Sequence, residues 1–302
     1  MMSDASEGGV SRRALFTGLR QRLMPDEPPE EQETGEAGEP LDPATRLLMD
    51  WGESDGALWR HAADALVETV FVGVGDRVLD AGCGDGNVAL AAARMGAEVV
   101  GCDPVESLLE RARERADTEG LEIDWRSGDL ESLPFGDGEF GAALSAFAPA
   151  FCARPKRALH ELARVTRPGG QIGVVLWGRE GAVGRLLRLA AIAEPPRGGA
   201  KDGPVAWAKA DAVRDGLKGW AKLGGREPVA VRMAFDSQEE AVDRLTVVLG
   251  PLAGALARLP ADRAATLRAA AQRAVAAEAT ERGGRVILMS HALLVAARRG
   301  AE

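Results

Sequence analysis

The chain has 302 residues, of which 46% are hydrophobic and 27% charged, and its formal net charge is -9. This length suffices for one large domain with a sizeable core, and the acidic balance disfavours a broad surface for nucleic acid. No apolar run approaches the roughly 20 residues that a membrane span needs, so no membrane-spanning helix is expected.

The cysteine and tyrosine content narrows the chemistry. Cys83, Cys102 and Cys152 have neither the spacing of a metal site nor that of a paired disulfide framework. This usage is typical of a reducing compartment, and it predicts a cytoplasmic protein without a metal centre. The chain contains no Tyr, which removes phenolic bases from consideration.

The first 40 residues are predicted to lie outside the folded domain. A twin-arginine export signal is suggested by Ser11-Arg12-Arg13, but no apolar region follows, and we interpret the match as false. A short amphipathic helix is the alternative, with an apolar face formed by Leu15, Phe16, Leu19 and Leu23. Residues 25–40 contain seven acids and four prolines, which predicts a disordered linker.

The folded domain is predicted to span residues 41–302 and to begin with a helical cap at 41–75. Apolar residues recur there with helical spacing. Because this segment precedes the first strand, it can cover the carboxyl edge of a sheet. His61 is the only histidine placed where it could meet a substrate, which makes it a candidate catalytic base. A half-buried structural histidine is the alternative.

The central motif of the chain occupies residues 76–104, DRVLDAGCGDGNVALAAARMGAEVVGCDP. It predicts a strand at Arg77–Ala81, a tight glycine loop, a helix from Asn87 and a second strand at Glu98–Cys102. A further helix is expected to start at Asp103-Pro104. Strand, glycine loop, helix, strand and acid together form half of a nucleotide-binding α/β unit.

The pattern Asp80-x-Gly82-x-Gly84-x-Gly86 indicates which nucleoside is bound, with Cys83 as a small filler in the loop. A dinucleotide pyrophosphate would be repelled by a carboxylate at this position. The methionine part of S-adenosylmethionine instead carries an ammonium and a sulfonium, which favour a carboxylate. The loop is therefore predicted to hold the methionine moiety. Asp103, with Pro104 beside it, is predicted to bind the ribose hydroxyls.

Further strands are predicted at Glu122–Arg126, at Phe140–Ala146 and at 171–177, with a helix at Pro155–Thr166 before the last of them. Ligands bind at the carboxyl ends of parallel strands. Ser145, near the end of its strand, is therefore expected to touch the cofactor through its backbone. Aromatic faces tolerate a sulfonium cation, and the candidates for this contact are Trp51, Phe147 and Trp177.

Four elements in this order resemble the class I S-adenosylmethionine-dependent methyltransferases over residues 76–177. They are the glycine loop, Asp103, the pair Asp129-Leu130, and a helix followed by Arg167-Pro168-Gly169-Gly170. Within that family the chain looks most like the type 11 or UbiE-like, quinone-type small-molecule branch. The resemblance implies that Asp129 binds the adenine amino group and that Leu130 packs on the adenine ring.

The resemblance also implies the fold. We expect a Rossmann-like, doubly wound α/β domain with a seven-stranded, mostly parallel sheet, helices on both faces, the N-terminal helical cap and a helical insert before the last strand. Residues 76–177 would form the cofactor-binding core, and residues 178–302 would shape the acceptor site and complete the sheet. His291, within the last apolar strand, is predicted to lie in the core.

The function predicted from these features is in-line methyl transfer from S-adenosylmethionine to a small-molecule acceptor, without nucleic acid or a membrane span. An NAD(P)-dependent oxidoreductase is one alternative, although it would need a clean phosphate loop. A non-catalytic module that binds S-adenosylmethionine is the other. The sequence does not identify the acceptor or the oligomeric state.

Overall fold

The computed structural model describes residues 56–195 and 203–301. The tail and linker predicted for residues 1–40, the first part of the cap and Trp51 lie outside the described residues.

The described chain alternates strands and helices through its first half and is mixed afterwards. The strands are β1 (Arg77–Ala81), β2 (Glu98–Asp103), β3 (Ile123–Ser127), β4 (Phe140–Ala146), β5 (Thr166–Glu180), β6 (Ala221–Phe235), β7 (Thr280–Arg282) and β8 (Arg285–Arg299). The α-helices are α1 (Gly56–Thr69), α2 (Asn87–Arg94), α3 (Glu106–Glu119), α4 (Pro155–Val165), α5 (Gly181–Ala193), α6 (Ala210–Gly216), α7 (Gln238–Val248), α8 (Gly250–Arg258) and α9 (Ala261–Ala276).

The sheet has the strand order β3-β2-β1-β4-β5-β8-β6. Strands β1 to β5 pair in parallel, whereas β8 is antiparallel to both β5 and β6. The predicted seven-stranded, mostly parallel sheet is confirmed. The structure adds an eighth strand, because Gly283 and Gly284 at positive φ make a tight turn that folds β7 back on β8.

Both faces of the sheet are covered, which is why its parallel strands are continuous apolar runs. Val78 of β1 packs into a core with α1, α2, α5 and the helices between β6 and β8. Its neighbour Leu79 points to the other face, into a core with α4 and α6. The helical insert before the last principal strand, α7 to α9, stands where it was predicted.

The described part of the predicted cap is a helix on the face of the sheet. Leu66 of α1 and Val70, which follows this helix, lie against Gly173 of β5, where a Cβ atom would come within 2.8 Å of either side chain. The absence of a side chain at Gly173 therefore lets α1 approach the sheet. The first turns of α1 reach the carboxyl edge, where Trp59 and Ala63 face a pocket.

Between α5 and β6 the described chain forms a 3-10 turn at Gly203–Trp207 followed by α6. Two local predictions were wrong. Helix α3 begins at Glu106 rather than at Asp103-Pro104, because the Asp103 carboxylate accepts the Val105 N–H at 2.9 Å and forms a turn first.

The second concerns His291, which is exposed rather than in the core. Ser290 and Ala292 on either side are buried, so alternation along β8 turns His291 outward. Its partner on β6, Ala230, is exposed as well, which shows that the sheet is covered on one face only at this level.

Candidate functional site

One pocket opens at the carboxyl ends of β1, β2 and β4, with a volume of about 1220 Å³ including its mouth. This is the edge at which parallel α/β sheets bind ligands. Its lining includes the predicted residues Asp80, Gly82, Cys83, Gly84, Asp103, Pro104, Asp129, Leu130, Phe147 and Trp177, and the further residues Trp59, Ala63, Asp85, Asn87, Val88, Val105, Leu108, Glu131, Ala146, Ala148, Phe151, Cys152, Ala153 and Leu249.

The glycine loop is held against the end of β2. The N–H groups of Gly82 and Cys83 both donate to the Cys102 carbonyl, at 2.7 and 3.0 Å. Gly82 has φ +67°, and a Cβ atom there would collide with the Ala148 side chain. Glycine is therefore required for the loop to make this turn while the opposite wall of the pocket comes close.

Gly86 does not line the pocket. It caps the N-terminus of α2 at φ +88°, and a Cβ atom at this position would lie 2.7 Å from the Trp125 ring. The spacing correctly indicated a position where only glycine fits. The structure assigns the reason to packing between α2 and Trp125 of β3 rather than to a ligand.

Asp80 is buried at the base of the pocket and is 1% exposed. Its Oδ2 accepts the Ala89 N–H of α2 at 2.8 Å, whereas Oδ1 is buried with no hydrogen-bond partner among the described residues. Burial raises the pKa of Asp80 to about 8, and the nearby Asp103 and Asp85 add to this effect while the Ala89 bond opposes it. A buried oxygen without a donor indicates a place for a ligand's donor.

Asp103 ends β2 and is also buried, at 6% exposure. The Gly84 N–H donates to its Oδ2 at 2.8 Å and the Val105 N–H to its Oδ1 at 2.9 Å. Burial raises its pKa to about 6, against the effect of these two bonds. The bonds fix the orientation of the carboxylate, and each oxygen retains a further lone pair for a ligand hydroxyl.

Asp129 and Leu130 lie where β3 ends, on the pocket wall. The Glu131 N–H donates to Asp129 Oδ1 at 2.8 Å, and the Ser132 N–H to the Asp129 carbonyl at 2.9 Å, so this turn is closed. Leu130 is buried and reaches towards Gly82. The structure thus brings the pair Asp129-Leu130 and the glycine loop to one pocket.

Ser145, which was predicted to reach the cofactor, is not part of the lining. It is fully buried, and its hydroxyl donates to the Ala81 carbonyl at 2.6 Å, which ties β4 to β1. The next residue, Ala146, does line the pocket. The contact of the Ser145 backbone with the cofactor stays a prediction.

The candidate base His61 is exposed and lies outside the pocket lining, whereas Ala62 and Ala63 beside it are buried. The two thiols of the lining are not activated. Burial raises the pKa of Cys83 and of Cys152 well above the usual range of a thiol, so both remain protonated at neutral pH.

Three aromatic side chains form what we call the aromatic wall of the pocket: Trp59, Phe147 and Trp177. Phe147 and Trp177 stack with their ring centroids 4.0 Å apart at 6°, and Trp59 meets the two rings edge-on at 6.3 and 5.1 Å. Phe147 has φ +69°, a conformation that is strained for a residue with a side chain. Phe147 and Trp177 were predicted here, and Trp59 was missed.

Sequence reasoning also missed an ion pair at the glycine loop. Arg115 of α3 lies 3.0 Å from Asp85 Oδ2, and it donates to the Asp85 carbonyl at 2.6 Å and to Asn87 Oδ1 at 2.9 Å. Asp85 could have been found as an acid within the motif. Its partner could not, because the two residues meet only when α3 packs beside the loop.

The lining carries five carboxyl groups: Asp80, Asp85, Asp103, Asp129 and Glu131. Two are paired with arginines, Asp85 with Arg115 and Glu131 with Arg154. The other three have no ion-pair partner among the described residues. When these carboxyl groups are ionised, the part of the pocket that they line suits a cationic ligand and repels a pyrophosphate.

The described part of the chain contains no group of three or more His, Cys, Asp or Glu side chains arranged to hold a metal ion. No helix of residues 56–195 or 203–301 has both the length and the apolar character to cross a membrane.

Comparison with known proteins places the pocket in a family context. Residues 79–174 match the family model described as methyltransferase domain. An uncharacterized protein of Mycobacterium tuberculosis is 43% identical over 150 residues, covering 48% of this chain and 55% of that protein. A demethylmenaquinone methyltransferase of Thermus thermophilus is 37% identical over 135 residues, covering 43% of this chain and 60% of that protein. The chain thus spans little more than half the length of these relatives.

Solved structures share the fold at low sequence identity. The YcgJ protein of Bacillus subtilis has a TM-score of 0.53 at 20% identity, covering 80% of this chain and 98% of that chain. The [4+2]-cyclase SpnF has a TM-score of 0.51 at 22% identity, covering 83% and 86%. These likenesses concern the fold alone.

Proposed function

We propose that the protein is an S-adenosylmethionine-dependent methyltransferase that methylates a small, largely apolar molecule. The match of residues 79–174 to the family model described as methyltransferase domain supports this proposal. S-adenosylmethionine supplies the methyl group, activated on a sulfonium. The observation that carries the proposal is the buried Asp80 Oδ1 without a donor, in a pocket that is acidic on one side and aromatic on the other.

The residues at the end of β1 fit the methionine moiety of this cofactor. Asp80 Oδ1 is available to accept from its ammonium. The first N–H groups of a helix have no partner within the helix, and Asn87 and Val88, which begin α2, line the pocket. The N–H groups at this helix start are suited to bind the carboxylate of the methionine moiety.

The residues at the ends of β2 and β3 fit the nucleoside. We assign the ribose hydroxyls to Asp103, which retains a lone pair on each oxygen, with Pro104 beside it. We assign the adenine to Asp129 and Leu130, which offer one carboxylate and one apolar surface on the same wall.

The aromatic wall fits the acceptor. Trp59, Phe147 and Trp177 present flat apolar surface, and Leu249, which joins α7 to α8, brings the helical insert to the same pocket. The Thermus thermophilus relative is named as a demethylmenaquinone methyltransferase. Both observations support a quinone-type ring as the first acceptor to test.

The protein's part in the reaction is positioning. Orientation and proximity can contribute roughly 7–11 kcal/mol to a reaction between two bound groups, and the aromatic faces tolerate positive charge while they exclude water. The chain has three histidines, and none of them lines the pocket. With no Tyr in the chain either, no side chain of these two types can serve there as a base.

The test is to analyse the purified protein by mass spectrometry for bound S-adenosylmethionine or S-adenosylhomocysteine, and then to supply reduced demethylmenaquinone-type rings and measure methylated product. Cofactor together with product supports the proposal. Cofactor without product from any ring acceptor indicates a non-catalytic binding module. Binding of NAD(P) in place of S-adenosylmethionine would contradict the proposal and support an oxidoreductase.

A further inference from the structure

Glu131 differs from the other acids of the pocket because one residue occupies both of its carboxylate oxygens. Oε1 accepts the Arg154 backbone N–H at 2.9 Å, and Oε2 accepts the Arg154 side-chain Nε–H at 2.6 Å. Glu131 is 4% exposed, whereas the Arg154 side chain is 67% exposed. The carboxylate is thus already satisfied within the protein and is not available to a ligand in the way that Asp80 is.

The backbone of Glu131 forms the second half of this arrangement. Its N–H donates to Asp129 Oδ1 at 2.8 Å, and its carbonyl accepts Arg157 Nε–H at 2.7 Å. Arg154 and Arg157 stand at the start of α4, so the turn after β3 is anchored to that helix through Glu131. The orientation of the Asp129 carboxylate therefore depends on this anchor.

We propose that Glu131 is a positioning residue that makes the pocket selective for an adenine amino group. Because Glu131 is held by α4, its N–H donates to Asp129 Oδ1. Asp129 Oδ2 is then left to accept a hydrogen bond from the adenine amino group. A purine with a carbonyl oxygen in place of the amino group would set two acceptors against each other, which costs affinity. The inference rests on the proposed function, because it requires Asp129 to face the adenine.

The experiment compares two ligands by calorimetry: S-adenosylhomocysteine, and S-inosylhomocysteine, in which a carbonyl oxygen replaces the adenine amino group. For the wild-type protein we expect tighter binding of the adenosyl ligand, on the order of tenfold to a hundredfold, from one hydrogen bond to a charged group. In Glu131→Gln the amide nitrogen faces the Arg154 donor, and we expect this preference to fall about tenfold.

Arg154→Met is the companion variant, because it removes the Nε donor from an exposed position while the backbone N–H remains. We expect it too to lower the preference for the adenosyl ligand. The double variant Glu131→Gln/Arg154→Met should show little further loss, since both substitutions act through one contact. Arg126→Met is the matched control. It removes an exposed ion pair with Asp124 on β3, outside the pocket lining, and should leave the preference unchanged.

The outcomes separate this inference from the proposed function. If the wild type fails to bind S-adenosylhomocysteine, or if Asp129→Asn keeps the full preference, the assignment of Asp129 fails and this inference fails with it. If Asp129→Asn abolishes the preference but Glu131→Gln and Arg154→Met keep it, only the role of Glu131 is overturned. A merely structural role would weaken both ligands equally and leave their ratio unchanged. Should Glu131→Gln not fold, Arg154→Met alone decides the question.

Discussion

At the scale of single residues, Asp80 is a carboxylic acid that folding places where its charge is poorly tolerated. Burial raises its pKa to about 8 from an ordinary value of 3.8, although one oxygen accepts the Ala89 N–H. An ionised carboxylate at this buried position costs free energy in the unliganded protein. It becomes favourable when a bound cation compensates its charge. Binding and stability therefore make opposite demands on this residue.

Asp80→Asn should stabilise the unliganded protein increasingly as the pH rises. Between pH 4 and 8 the folded wild type holds a proton on Asp80 that the unfolded chain has lost, so the free energy of unfolding falls with rising pH. Asn keeps an acceptor for the Ala89 N–H and has no charge to desolvate. In thermal unfolding at pH 5, 6.5 and 8, the Tm of the variant minus the Tm of the wild type should increase with pH. A pH-independent difference in Tm would contradict the raised pKa.

Asp103→Ala should weaken the binding of S-adenosylhomocysteine by a few kcal/mol. Hydrogen bonds to a charged group contribute about 1.5–3 kcal/mol each, and this carboxylate can accept from both ribose hydroxyls. Calorimetry measures the change, and Asp124→Asn on exposed β3 is the control. Unchanged affinity in the alanine variant would rule out the assignment of Asp103 to the ribose.

At the scale of elements, the glycine loop combines two different requirements in one motif. Gly82 and Gly84 line the pocket, whereas Gly86 lies at the start of α2 against Trp125. All three have positive φ, which is the property that the sequence pattern revealed. Which glycine serves binding and which serves packing depends on neighbours from other elements.

Gly86→Ala should therefore destabilise the fold more than Gly84→Ala does. Both variants strain the backbone by about 1–2 kcal/mol. A Cβ atom at Gly86 also meets the Trp125 ring at 2.7 Å and Ala112 at 3.2 Å, whereas the space around Gly84 is open. Chemical denaturation should show an additional loss of about 1–3 kcal/mol for Gly86→Ala. Equal losses in the two variants would show that α2 relaxes away from β3.

At the scale of the whole molecule, the pocket is assembled from distant parts of the chain. Trp59 comes from α1, and Phe147 directly follows β4. Trp177 belongs to β5, and Leu249 comes from the helical insert. The insert is tied to the core by ion pairs, Arg258 with Glu194 and Arg185 with Glu278. This side of the pocket thus depends on packing between elements that are distant in the described chain.

Leu249→Ala should alter the acceptor side and spare the cofactor side. The side chain lines the pocket from the insert, and its truncation removes apolar surface there. We expect the affinity for S-adenosylhomocysteine to stay within about twofold, as for distant independent sites. Binding of a naphthoquinone probe, followed through tryptophan fluorescence, should weaken measurably. A loss of cofactor affinity as large as that of the probe would place Leu249 outside the acceptor site.

The acids at the strand ends of the pocket were largely predictable, and the complete aromatic wall was not. Asp80, Asp103 and Asp129 could be placed because each follows a short apolar strand, and parallel strands end at one edge. That the Ser145 hydroxyl ties β4 to β1 could not be predicted, since alternation along a buried strand is invisible when both faces are apolar. His61 shares helix α1 with Trp59, but only the packing of α1 showed which of the two faces the pocket.

The amino-acid sequence alone predicted the strands and helices of residues 76–177, the glycine loop and the acids at the strand ends, because these follow from contacts between near neighbours in the chain. Three contacts emerged only from the folded arrangement: the pairing of Arg115 with Asp85, the anchor from Glu131 to Arg154 and the stacking of Phe147 on Trp177. These contacts join residues 23 to 30 positions apart. No local pattern marks them, because they form only when separate elements pack against one sheet.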